Sequence, residues 1–561
     1  MTNRMTWQGA HPIIVRAPET VTALLLLEAM QKHVTALMLS SVTVGGCGST
    51  LAQQSFECPE KGGAPWTEVS STHFTLKTDL DPKTAQEVSA NLEARFSSLA
   101  DLGFASPIEV RARIDVVYFR HRDEYEKVAP RLSAGMFRTD VRDFERTPLA
   151  VLQGDFTQSN KETLQHELTH HFVHALYPQA PVWLNEGLAV YFSTLDVEGD
   201  TAILGRAPHR FRFWKGDWHA QIEEGEISVA IPMSEAPSAA SLLSMSVTEF
   251  EGAADRDPRT SEGQNALKRM GANYAGAWNL VHLCMTDPTV RPLFDDYEQR
   301  LLHGEPNERA WAESVGRIPP EKLQKDYTGS LVSVETITQR TNYAPPANKQ
   351  AVRPMPDADV HVLWARLRNW KSPEGNAAAK NDLSEATRQV PHHPGAAMLS
   401  AYWDYVAEDH SAAERTLKDA LTARPDDPRL LNALGWVELH ANSKTTTAAA
   451  LVPVAEKLAP LAKTAAEFDL LARNSALHDD IDGALAYEKR AIAADASCYQ
   501  CFSQAAGLLA EKGALREALQ AATLALGLVP EGADPERVAD QVDTYRRRLT
   551  EGRPAAEPPK R

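Results

Sequence analysis

The chain has 561 residues, 43% of them hydrophobic and 24% charged, which is the balance of a globular protein too long for one core and expected to divide into two or three domains. Its formal net charge of −17 excludes a general affinity for nucleic-acid phosphates, which needs a basic surface, so no nucleic-acid partner is expected. No stretch reaches the run of about 20 apolar residues that a membrane-spanning helix requires.

Read from Met1, the first residues make a poor signal, because the apolar run "ALLLL" is followed by Glu28, Lys32 and His33. Read from Met30 they fall into order: "MQKH" is a short positive start, "VTALMLSSVTV" an apolar stretch, and "VGGC" ends at Cys47. An aliphatic residue, two small residues and a cysteine resemble the bacterial lipobox, which implies lipidation of Cys47 and a membrane partner reached through a lipid anchor. The expected location is then the bacterial cell envelope, on the outer membrane. Residues 1–47 are thus read as an extension plus lipoprotein signal starting at Met30, against the alternative of an apolar stretch with a chance cysteine. Residues 48–66 are small and polar and read as a tether.

The next section mixes element types. Strands are expected at "HFTLKTDL" (73–80), "RIDVVYFR" (113–120) and "PLAVLQG" (148–154), with a helix by period over "PKTAQEVSANLEARFSSLADLG". A further helix starts near Ser159, where Ser159 and Glu162 have the spacing of a capping box. Residues 67–330 form this mixed α/β domain. The segment 331–359 holds the proline-rich "NYAPPANKQAVRPMPDAD" and reads as a linker.

From 360 to 545 the chain is rich in alanine and leucine. Ala379, Ala413, Ala448, Ala484 and Ala518 recur at intervals of 34, 35, 36 and 34, and a proline stands twelve residues after four of them, at Pro391, Pro425, Pro460 and Pro530. Small residues let two helices approach closely, and proline stops the second helix before the next turn. This period resembles the tetratricopeptide repeat, which implies about five stacked helical hairpins and a protein partner recruited through them. Within the repeats, Cys498 and Cys501 form a CxxC with no second pair to complete a zinc site; the reading is a local disulfide or two inert thiols. The basic end, 546–561, reads as a disordered tail.

The chemistry-bearing stretch is "TLQHELTHHFVHALYPQAPVWLNEGLAVYF" at 163–192. His166 and His170 are four apart, so on a helix both imidazoles reach one zinc ion, and Glu167 lies beside the same cleft, placed to accept a proton from an attacking water. The pentapeptide alone is short enough to arise by chance. Glu186, sixteen residues after His170, supplies the third ligand that two histidines lack, and Gly187 would let a second helix pack closely. Two histidines, a glutamate and one open position make a catalytic rather than a closed structural zinc site. His171 and His174 receive no role.

HExxH followed by a "WLNEGLA" segment resembles the gluzincin metallopeptidases, typified by thermolysin and aminopeptidase N, and above all the peptidase-MA-like domains of bacterial envelope proteins. The resemblance implies His166, His170 and Glu186 as ligands of Zn²⁺, Glu167 as general base and acid, and a peptide or protein substrate. "NYAGAWNLVHL" (273–283) is similar to the segment whose tyrosine stabilises the oxyanion in that family, which would give Tyr274 that role; the alternatives are packing at a helix start, or Tyr191 in its place. The sequence departs from the aminopeptidases at "SAGMFRTD" (133–140), where Phe137 stands in place of an amine-binding glutamate. The expected fold is an α+β zincin-like metallopeptidase domain followed by an all-α tetratricopeptide-repeat superhelix. Two functions follow: zinc-dependent peptide-bond hydrolysis, endo- or exopeptidase, or a catalytically weak or inactive peptidase-like scaffold that works through protein–protein contacts.

Overall fold

The computed structural model describes residues 58–551 except for 105–113, 126, 129–134, 139–143, 145–147, 154–157, 178–179, 199–200, 209–210, 215–218, 224–225, 252–260, 304, 333–338, 345, 370–371, 442–443 and 530–535. Met30, Cys47 and the lipobox therefore lie outside the described residues.

A six-stranded mixed sheet organises the first half. Its strands are Thr67–Ser70 (β1), Phe74–Thr78 (β2), Ile114–Phe119 (β3), Gly135–Arg138 (β4), Leu149–Gln153 (β5) and Ala351–Pro354 (β12), in the order β12-β1-β2-β3-β5-β4. The pairs β2–β3 and β3–β5 are parallel and the others antiparallel. The reason "IDVVYF" is apolar almost throughout is that β3 is covered on both faces. Val116 and Tyr118 point into one core, with the helices Pro82–Ser98 (α1) and Gln158–Leu176 (α2). Val117 and Phe119 point into the other, against Trp66 and against Val360, Leu363 and Trp364 of the helix Asp357–Leu367.

Helix Val182–Ser193 (α3) packs on α2, and the long helix Ser261–Thr286 (α4) packs on α3. The helices Arg291–Leu302 (α5) and Pro320–Val332 (α6) complete this layer. Two small sheets lie between α3 and the repeats in sequence. One joins Asp196–Glu198 (β6), Thr201–Leu204 (β7) and Gln339–Asn342 (β11); the other joins Phe211–Trp214 (β8), His219–Glu223 (β9) and Glu226–Pro232 (β10). The periodicity of the sequence signals none of these six strands.

Residues 357–551 are helical hairpins. The pairs are Asp357–Leu367 (α7) with Pro373–Gln389 (α8), Pro394–Val406 (α9) with His410–Ala423 (α10), and Pro428–Ala441 (α11) with Lys444–Leu458 (α12). Ala465–Leu477 (α13) with Ile481–Ala494 (α14), and Tyr499–Glu511 (α15) with Leu515–Gly527 (α16), follow, and Glu536–Glu551 (α17) caps the stack. Ala379, Ala413, Ala484 and Ala518 fall on the second helix of their pairs and are fully buried, whereas Ala448 is half-buried on α12, which also contains Pro453. First helices of successive pairs pack side by side, forming one continuous inner layer from α7 to α17. This is a tetratricopeptide-like all-α repeat region.

Three expectations on segment boundaries differ from what is seen. Within 331–359, the stretch read as a linker, β11 joins a small sheet, β12 completes the main sheet on β1, and α7 covers its back face; the prolines cost nothing because β12 is an edge strand that ends at Pro354. Within the 48–66 tether, Cys58 and Trp66 are buried in the back core. The first residues read as tail, 546–551, continue the helix Glu536–Glu551, and 552–561 lie outside the described residues. One helix start also shifts: α2 begins at Gln158, so Ser159 lies inside its first turn rather than at the cap. Cys498 and Cys501 are joined as a disulfide at the start of α15, while Cys58 and Cys284 are buried free thiols.

Asp115 on β3 ties the two halves together. Its carboxylate accepts from Lys77 Nζ at 2.9 Å and from Arg366 on α7 at 2.5 Å. Burial alone would raise it, but the two cations bring it down to about 2.

Candidate metal centre

The centre is built where α2 meets α3. On α2, Leu164, Leu168, Phe172 and Val173 are buried in the core, and the i, i+4 pair His166 and His170 lies on the side facing α3. The helix α3 is apolar almost all round: Val182, Trp183, Leu184, Leu188, Ala189, Val190, Tyr191 and Phe192 are all buried. Glu186 is the one acidic residue in it and is only 3% exposed.

These three side chains converge. The Nε2 atoms of His166 and His170 are 2.9 Å apart, and Glu186 Oε2 lies 3.6 Å from the first and 3.5 Å from the second. Among the described residues they are the one group of three or more His, Cys, Asp or Glu whose donor atoms come within 4.8 Å of one another. A tetrahedral ion with zinc's bond lengths of about 2.0–2.2 Å would hold its donors roughly 3.3–3.5 Å apart, and the observed separations bracket that value. Among the described residues Glu186 Oε2 is buried without a hydrogen-bond partner, a costly state for a carboxylate unless something cationic faces it. The donor set and its spacing therefore fit zinc.

The electrostatics follow from this packing. Burial pushes Glu186 up, but His170 and His166 outweigh it and hold the carboxyl at about 2. Burial likewise disfavours a charged His170, yet the facing Glu186 raises its pKa, with a smaller contribution from the nearby Glu167. His170 Nδ1 lies 3.3 Å from Asn185 Oδ1. A proton on Nδ1 donated to that oxygen leaves the Nε2 lone pair directed at the centre, the tautomer a metal needs. Asn185 stands inside "WLNEG", where sequence alone gives it no role; its adjacency to Glu186 is the one signal that could have found it.

Glycine at 187 is required by a close approach. A Cβ there would stand 2.6 Å from the carbonyl oxygen of Ala277 and 2.7 Å from Val281 Cγ2, both on α4. The helix α4 thus crosses directly behind the residue that follows Glu186.

The other named residues sort as follows. Glu167 is half-buried on α2, adjacent to His166. Tyr274 lies on α4 one turn before Ala277, is 3% exposed, and packs edge-to-face on Phe250 at 5.2 Å. Tyr191 is a buried core residue whose pKa burial raises. His171 is buried with its ring edge-on to Phe172 and held down to about 4 by burial, away from the triad. His174 belongs to α2, and its side chain lies outside the described residues. The segment 133–140 contributes β4, the outermost strand of the main sheet, in contact with α2.

No protein-family model matches the chain, and no curated protein matches it either. Solved structures similar to part of it include PilW, described as a widely conserved type IV pilus biogenesis factor, at 18% identity and a TM-score of 0.28, covering 36% of this chain and 95% of that one. MamA is similar at 16% identity and a TM-score of 0.21, over 28% of this chain and 94% of that one. A thermophilic tetratricopeptide-repeat protein from Thermus thermophilus is similar at 17% identity and a TM-score of 0.28, over 34% of this chain and 99% of that one. At these scores the likeness bears on no functional question.

Proposed function

We propose that the chain is a zinc-dependent peptidase of gluzincin type, held at the bacterial envelope by a lipid on Cys47, with helical repeats that engage protein. The observation that carries this reading is the convergence of His166, His170 and the buried carboxylate of Glu186 on one point. His166, His170 and Glu186 would hold the ion, which when bound polarises a substrate carbonyl and acidifies water. Glu167, next in sequence to His166 and half-buried, is the group placed to take a proton from the attacking water and return it to the leaving amine. Asn185 fixes the tautomer of His170. Tyr274 is assigned the oxyanion contact; Tyr274→Phe, which keeps the ring packed on Phe250, isolates its hydroxyl.

The peptidase reading is tested by measuring zinc content and cleavage of an unstructured protein for the wild-type chain and Glu167→Gln. The expected result is stoichiometric zinc in both, with cleavage by Glu167→Gln reduced about 10²- to 10⁴-fold, the usual range for a positioned acid–base group. Equal cleavage by the two zinc-loaded chains would leave the scaffold reading, which Phe137 in place of the amine-binding glutamate favours. Wild-type zinc affinity in His166→Ala would refute the ligand set.

A further inference from the structure

Phe144 lies in the connection between β4 and β5, yet its side chain belongs to the core of the repeats. It belongs to the same buried cluster as Met398 and Ala401 of α9. Its ring meets Tyr402 and Tyr405 edge-on, at 5.6 Å in each case. Its carbonyl accepts a hydrogen bond from Asn432 Nδ2 on α11 at 3.1 Å, across 288 positions of sequence. The helices α9 and α11 are first helices of their pairs, so the contact is with the inner layer of the stack. Asn432 is 1% exposed, and among the described residues its Oδ1 has no hydrogen-bond partner. A side-chain amide that donates to a backbone carbonyl and keeps its own oxygen free is suited to reading extended backbone, since it can also accept an N–H.

The sequence around this residue is Arg142-Asp143-Phe144-Glu145-Arg146. The ring is the single apolar group in that run, and burying it in a distant hairpin is the only apolar gain the run has to offer. The strand preceding it, β4, is an edge strand paired with β5 alone among the described residues, and it touches α2, which bears both histidines.

We infer that the inner face of α9 and α11 is a receptor for an aromatic residue of the chain itself, and that Phe144, seated there, is the latch by which the repeats restrain edge strand β4. Phe144 is a positioning residue for that strand. The inference stands on packing and does not depend on whether the centre hydrolyses peptides.

The test is hydrogen exchange on the full-length chain, comparing wild type with Phe144→Ala, Tyr405→Ala and Asn432→Ala. The expected result is exchange of the Met136–Arg138 amides at least tenfold faster in all three, with β2 and β3 unchanged. Two of these substitutions lie in the repeats, more than 250 residues from β4 in sequence, so a local loss of structure at β4 does not explain them. Unchanged β4 exchange in the repeat variants refutes the latch. A labelled peptide spanning residues 140–148 supplies the second measurement, with Phe144→Leu used where Phe144→Ala does not fold. It should bind the Phe144-substituted chain at least tenfold more tightly than wild type, whose receptor is filled, and its alanine counterpart at Phe144 should not bind. Equal affinity for both chains overturns the inference.

Discussion

Gly187→Ala is the substitution that most directly probes how the fold sets the metal centre. The added Cβ would lie 2.6 Å from the Ala277 carbonyl oxygen and 2.9 Å from its carbonyl carbon. An ordinary contact lies at 3.4–4 Å, so α3 and α4 must separate by about 0.8 Å or more. The atoms in the way are backbone of a buried helix and cannot rotate aside. Overpacking of this kind costs about 1–3 kcal/mol, which lowers an unfolding midpoint by roughly 2–4 °C per kcal/mol in a domain of a few hundred residues. Glu186 is the neighbouring residue and would move with α3, while His166 and His170 stay on α2. Zinc sites tolerate about 0.2 Å in ligand placement, so zinc affinity should fall by at least tenfold. Thermal unfolding with and without zinc, together with a competitive zinc titration, reads both effects. A midpoint within 1 °C of wild type and an unchanged affinity would refute the packing of α3 on α4 and the dependence of the site on it. Val281→Ala should relieve only the contact to Cγ2, because the Ala277 carbonyl remains, and so should not rescue Gly187→Ala.

Asn185→Ala removes the oxygen that orients His170, and zinc affinity should drop about 10- to 100-fold with the unfolding midpoint of the metal-free chain little changed. An unaltered affinity in a zinc titration would show that Asn185 does not set the tautomer. Asp115→Asn tests the charged tie between β3 and α7. The folded-state carboxyl at about 2 lies below its unfolded value near 3.9, so its contribution is present above pH 4 and is lost as pH falls from about 4 towards 2. Wild-type stability should therefore decline over that interval by roughly 2 kcal/mol more than that of Asp115→Asn, measured by denaturant unfolding at each pH. Parallel pH profiles for the two chains would sink the assignment.

The sequence is most informative where periodicity and chemistry coincide. The period of 34 identifies the repeat hairpins because the recurring alanines are the residues squeezed in the hairpin packing; Ala379, Ala413, Ala484 and Ala518 are fully buried. The triad is legible because "HELTH" fixes two histidines on one face of a helix and "WLNEG" brings a carboxylate on the next. What cannot be read is anything that depends on distant partners. β12 is four residues long with every side chain exposed, so no apolar alternation announces it, and it exists only because β1 offers an open edge. The strands β6 to β11 are three to seven residues long, too short for a period to stand out. Phe144 sits among charges and gives no local sign that a helix 288 positions away donates to its carbonyl. Asn185 is informative only once Glu186 is seen beside His170.

The arrangement of the triad favours the proposed metal centre over a buried ion cluster. A structural Glu–His pair gains most from a charge-assisted hydrogen bond of about 2.7–2.9 Å. Here both carboxylate-to-imidazole distances are longer, at 3.5 and 3.6 Å, while the two imidazole nitrogens approach to 2.9 Å. Two imidazolium rings would repel at that separation, so the pair can carry at most one positive charge comfortably, and among the described residues Glu186 Oε2 faces them without a hydrogen bond of its own. Three donor atoms 2.9, 3.5 and 3.6 Å apart, in a largely apolar helix crossing, are well arranged to share a cation. Evolution of a merely stable core would replace Glu186 with a residue like its neighbours Leu184 and Leu188, since exchanging a buried ionic group for well-packed apolar ones is commonly neutral or stabilising. The energetic cost of keeping the carboxylate, and the glycine beside it that admits α4, is the physical reason to read this crossing as a built site.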